Sequence, residues 1–97
     1  MLKRWKVGFM MTRNCELCGR WSACHRHHLI GGTANRKNAE RYNLTIYLCP
    51  DCHRKAHEET ETYKMLHQYG ERKFMREQDA TVEDFIRVFG KNYLWEG

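Results

Sequence analysis

The chain has 97 residues, 30% of them charged, and a formal net charge of +5, which bounds it to one small domain with limited apolar burial. Its N-terminal apolar run, Val7 to Met11, is too short for a signal segment, and no stretch approaches membrane-spanning length, so secreted and membrane classes are set aside. Five cysteines, an odd number with four in Cys-x-x-Cys pairs, favour metal in a reducing cytoplasm over disulfides.

Residues 1–14 read as a basic arm, with Lys3, Arg4, Lys6 and Arg13 around Trp5 and Phe9; two roles are open, packing of Trp5, Phe9 and the Met10-Met11 pair onto the domain, which the aromatics favour, or a flexible arm on the phosphate backbone. Residues 15–20, CELCGR, form a knuckle in which Gly19 permits the turn that aims both thiols at one ion. Residues 21–30 predict a short strand running into His27-His28-Leu29-Ile30, broken by Gly31-Gly32. From Thr33 to Tyr42 the chain is polar and basic without apolar period, and it reads as a loop with room for a helical turn. Leu44–Leu48 alternates and is β-branched, predicting a second strand. Pro50 then suits the first turn of a helix carrying Cys52, His53 and His57.

Beyond Glu58 the spacing of Tyr63, Leu66, Tyr69, Lys73 and Phe74 predicts an amphipathic helix over about residues 60–78. Thr81-Val82-Glu83-Asp84 is a capping-box sequence that opens a second helix through Phe85, Ile86, Val88 and Phe89, ended by Gly90. Lys91 to Gly97 reads as a docked tail, and these helices read as scaffold or dimer surface. Residues 1–97 thus make a single domain: arm 1–14, ligand-rich core 15–58 and helical extension 59–97.

Charge is unevenly spread. Residues 1–57 hold 11 Lys/Arg against 3 Asp/Glu, and residues 58–97 hold 6 against 9. The basic half carries the ligand residues, and a positive field around a metal site points to a polyanion, most simply nucleic acid. Arg26, Arg36, Lys37, Arg41, Arg54 and Lys55 are the candidate phosphate contacts, against the plain alternative of a solvated basic surface.

Cys15, Cys18, Cys49 and Cys52 carry the strongest signal. Two knuckles about thirty residues apart have the ligand logic of a structural Zn²⁺ site, whereas free core thiols would not require that spacing. Cys24 lies outside the set and reads as a small apolar filler. His53 and His57 are four apart and share one helix face. His27 and His28, neighbours on a strand, point to opposite sides, so one ring can bind metal while the other faces a different ligand.

In CELC, HRHHLIGG, YNL and LCPDCHRKAH, taken in that order over about residues 15–57, the chain resembles the HNH endonuclease family. GGTANRK and EDFIRVFGKNYL add a softer similarity to small phage-encoded members. The resemblance implies an α+β fold: a ββα-metal core with a four-cysteine zinc site, plus C-terminal helices. It implies His28 as general base, Asn43 as the asparagine that orients it, and His27, His53 and His57 as ligands of a catalytic divalent ion. Many members have Asp or Glu where this chain has His27, which leaves Mg²⁺, Mn²⁺, Ni²⁺ and Zn²⁺ all open.

The implied activity is hydrolysis of DNA phosphodiesters to 5′-phosphate and 3′-hydroxyl ends, with one metal and one base nicking one strand per site. RNA is open to the same phosphate chemistry. With no evident recognition helix, binding should be salt-sensitive and low in sequence preference. Double-strand cutting would take a homodimer or a second encounter, and targeting a phage DNA-processing partner, in the host cytoplasm. The alternative reading is a non-catalytic zinc-binding module that binds nucleic acid or a partner protein.

Overall fold

A computed structural model describes residues 10–94. Strands β1 (Met10–Asn14), β2 (Trp21–His28) and β3 (Thr45–Leu48) form one antiparallel sheet in the order β1-β2-β3. Among the described residues, four helices are interleaved with it or follow it: α1 (Thr33–Arg41) between β2 and β3, then α2 (Pro50–Glu58), α3 (Thr60–Gln78) and α4 (Val82–Phe89). The protein is therefore a small α+β molecule, and none of its described helices is long and apolar enough to cross a membrane.

The strands predicted at 21–30 and 44–48 are present as β2 and β3, with His27 opposite Ile46 and His28 opposite Thr45. Arm residues 10–14 differ from expectation. They pair with β2 from Met10 opposite His25 to Asn14 opposite Trp21. Met10 and Met11, on this edge strand, are exposed rather than packed on the domain. Lys3, Arg4, Trp5, Lys6 and Phe9 lie outside the described residues.

The segment expected to be a loop, residues 33–42, is instead a nine-residue helix with only Ala39 buried. Ala, Arg, Lys and Glu give it high intrinsic propensity, and its tertiary anchors are polar. The Asn35 amide donates to the carbonyls of Gly31 (3.1 Å) and Phe89 (3.2 Å), and the Asn38 amide donates to Val88 O at 3.2 Å. Val88 and Phe89 sit in the last turn of α4, where carbonyls lack helical partners. One helix therefore caps another, and apolar periodicity carries no trace of it.

The α3 and α4 boundaries match expectation. Thr81 and Asp84 form the reciprocal capping box, and Gly90 closes α4 at φ 89°. The stripe that α3 buries is Leu66, His67, Gly70, Glu71 and Phe74, whereas Tyr63 and Tyr69 are exposed. Gly70 is required for close approach: a Cβ there would sit 2.9 Å from Leu29 Cβ and 3.0 Å from Ile30 Cδ1. The helix is thus seated directly on the two residues that follow His27-His28. Phe74, Phe85 and Phe89, with Tyr42 edge-on to Phe74 at 5.0 Å, complete the core on that side. Tyr93 docks the tail, its N–H donating to the fully buried Glu71 at 2.7 Å.

Candidate functional site

Two clusters of ligand residues emerge. Cys15 and Cys18 lie in the turn before β2; Cys49 and Cys52 open α2. Their four sulfurs all lie within 4.8 Å of one another. Cys18 and Cys49 are 3.8 Å apart, close to the edge of a tetrahedron with Zn–S bonds of about 2.3 Å. The knuckle forms as expected: Gly19 turns at φ 84°, and its N–H donates to Cys15 O at 2.9 Å. Peptide N–H groups of Leu17 and Cys18 point at the Cys15 sulfur, and that of Cys52 at the Cys49 sulfur. Burial works against ionisation of Cys15, but the N–H groups around its sulfur outweigh it and bring the thiol down to about 6. Burial and the neighbouring sulfurs push Cys52 up. Four thiolates crowd one another, and a dication is what lets all four ionise together. The set is a candidate structural zinc site. Cys24 stays outside it, buried, its thiol donating to Arg13 O at 3.4 Å.

The second cluster is His27, His53 and His57, whose ring nitrogens also lie within 4.8 Å. His27 comes from β2, and the other two from consecutive turns of α2, with their Nε2 atoms 3.3 Å apart. That separation matches two corners of a tetrahedron with metal–nitrogen bonds of about 2.0–2.1 Å. His27 is 6% exposed, and its Nε2 is buried without any hydrogen-bond partner. An orphaned buried imidazole nitrogen facing two others is the arrangement a metal ion would satisfy. Burial, reinforced by His53 and His57, pushes His27 down to about 4, and burial likewise lowers His53. His27 therefore keeps its ligating lone pair at neutral pH.

His28 projects from the other side of β2. Its Nε2 is 2.7 Å from Glu40 Oε2, and Arg26 holds Glu40 Oε1 at 2.5 Å. Asn43 does not line the cleft. It sits at φ 59° in the turn after α1, its N–H donating to Glu40 O at 3.2 Å and its carbonyl accepting from Lys73 Nζ at 2.7 Å. Its backbone links toward His28 run through Glu40 on α1 and through its neighbour Leu44, whose carbonyl accepts from Leu29 N–H at 2.9 Å.

A cleft of about 380 Å³ connects these groups, lined by His27, His28, His53 and His57 together with Arg26, Arg36, the Gly31-Gly32 backbone, Tyr63 and His67. Of the six candidate phosphate contacts it gathers Arg26 and Arg36. Lys37 and Arg41 lie elsewhere on α1, Arg41 over the Tyr42 ring, while Arg54 pairs with Glu58 at 3.5 Å beside exposed Lys55. Glu40, Tyr63 and His67 are not among the residues expected from sequence, which reads α3 as scaffold or dimer surface, whereas that helix contributes Tyr63 and His67 to the lining. Glu40 carries one faint signal, as one of only three acids among residues 1–57, but without a helix there is no register to place it. No family model, curated protein or solved structure matches the chain, so function has to be argued from this geometry.

Proposed function

We propose that the protein is a metal-dependent endonuclease of the HNH type, nicking DNA phosphodiesters to 5′-phosphate and 3′-hydroxyl ends. One observation carries the reading: three imidazoles converge around an orphaned buried nitrogen, in the same cleft as a fourth imidazole held by a carboxylate. A non-catalytic module would need the cysteine cluster but not this second set.

His27, His53 and His57 would hold a divalent ion, which supplies Lewis-acid stabilisation of charge on the phosphodiester and its leaving oxygen. His28 acts as general base. Its Nε2–H donates to Glu40, which leaves the Nδ1 lone pair to take a proton from the attacking water. Arg26 holds the other Glu40 oxygen, so the carboxylate is fixed from both sides and fixes the ring in turn. The cysteine set fastens the first turn of α2 to the chain before β2. His53 follows Cys52 directly, so the structural site also fixes the helix that presents two ligands.

The test is conversion of supercoiled plasmid to open circle with Mg²⁺, Mn²⁺, Ni²⁺ or Zn²⁺, beside His28→Ala. Nicking that depends on metal and falls at least 100-fold in a folded His28→Ala protein is expected. Equal nicking by the variant, or none by either protein with any metal, would contradict the proposal.

A further inference from the structure

The cleft is larger than its chemistry needs. One water takes about 30 Å³ of liquid volume, so an ion with its open positions fills a minor part of 380 Å³. Besides the histidines of the metal cluster and His28, the cleft is lined by Gly31, Gly32, Arg36, Tyr63 and His67.

Each of these groups has a defined character. Tyr63 stacks on His67 with ring centroids 3.9 Å apart and 27° between planes, yet it remains 40% exposed. His67 is fixed at both nitrogens: Nδ1–H donates to Tyr63 O and Nε2 accepts from Gly31 N–H, both at 2.9 Å. The histidine therefore serves as a rigid backing, and the outer Tyr63 face is a preset aromatic platform. In the same cleft, Arg36 has no ion pair among the described residues, whereas Arg26 is paired with Glu40 and Arg54 with Glu58. Arg36 and Glu40 are four apart on α1, so they share a face, one cationic group for a ligand and one carboxylate for the base. The first turn of α1 carries no acid and no side-chain cap, which keeps the local field positive. Gly31 and Gly32 add bare backbone to the same lining.

We infer that this part of the cleft is a nucleotide subsite, with Tyr63 stacking an unpaired base and Arg36 binding a phosphate next to the scissile one. The inference rests on the nuclease reading and narrows its substrate to single-stranded or locally unpaired DNA, because a base inside a duplex cannot present its face to Tyr63.

The experiment is fluorescence anisotropy with a fluorescein-labelled single-stranded 12-mer DNA and its duplex, using zinc-loaded His28→Ala protein over a salt series. The single strand should bind more tightly. Tyr63→Leu should weaken it roughly 5- to 100-fold and erase the preference over duplex, while Tyr63→Phe retains both. Arg36→Gln should lower the log–log salt slope by about 0.7. Tyr69→Leu, an exposed tyrosine outside the cleft, should change nothing. Because Tyr63→Leu could disturb folding, photo-crosslinking of a 5-iodouracil 12-mer to the His28→Ala protein provides a check with Tyr63 and Arg36 intact, and Tyr63 should be the adduct. Binding unchanged in Tyr63→Leu and Arg36→Gln, or crosslinks at Tyr69 or Trp21 instead, would overturn the subsite while plasmid nicking leaves the nuclease intact. No binding of either 12-mer would likewise overturn the subsite, and the nuclease reading falls with it only where plasmid nicking fails as well.

Discussion

At the scale of single residues, Glu40 separates this site from a generic histidine cluster. It contacts His28 directly and is itself held by Arg26. Glu40→Gln removes the charge but keeps an acceptor, so nicking should drop by about 10-fold, and Glu40→Ala by up to about 100-fold, as for other groups that orient a catalytic side chain. Equal rates in all three proteins would show that His28 works unassisted.

The buried histidines set a second expectation. An imidazole whose folded pKa lies below its ordinary value near 6.5 favours the native state fully above that value. The contribution is lost as pH falls toward the folded pKa, because the unfolded chain binds the proton first. His27, brought down to about 4, and His53 and His67, both lowered by burial, act in the same direction. Without metal in the histidine site, the melting temperature should fall steadily from pH 7 to pH 4.5. His27→Gln should flatten part of that slope, and a profile that is level or rising toward acid would contradict the burial argument.

At the scale of elements, the sequence is informative wherever a local signal decides the outcome. Thr81, Asp84 and Gly90 define α4 because capping is local chemistry, and Pro50 opens α2 for the same reason. The metal-ligand spacings were legible too, since x2 and x3 intervals fix geometry before any packing does. What escaped is long-range. Helix α1 is held by Asn35 and Asn38 to carbonyls 54 and 50 residues away, and no apolar period records that. Glu40 and Arg36 were therefore without a face, and the contribution of Tyr63 to the cleft depended on where α3 lands.

Two element-scale outcomes follow. Asn38→Ala leaves Val88 O without its side-chain donor and should cost about 1 kcal/mol, read as a shift in urea midpoint with unchanged slope. Gly70→Ala improves helix propensity yet forces a methyl to within 2.9 Å of Leu29 Cβ. It should destabilise by about 1–3 kcal/mol, and a stabilised variant would mean that α3 sits farther from the His27-His28 strand than described.

At the scale of the whole molecule, the architecture places two candidate ligand sets on one short segment. The cysteine cluster joins the turn before β2 to the start of α2, and the histidine cluster joins β2 to the next two turns of the same helix. A protein of this size gains much of its stability from such a staple. Cys52→Ser should therefore weaken metal retention, loosen the fold and displace His53 together, measured as loss of both zinc content and cooperative melting. A variant in the histidine set should leave the fold standing.

Metal stoichiometry distinguishes two separate centres from one. After dialysis against Zn²⁺, elemental analysis of the purified protein should give two ions per chain, and His53→Ala/His57→Ala protein one, with its thermal transition retained. A single ion in the parent chain, or two in the double variant, would contradict the account.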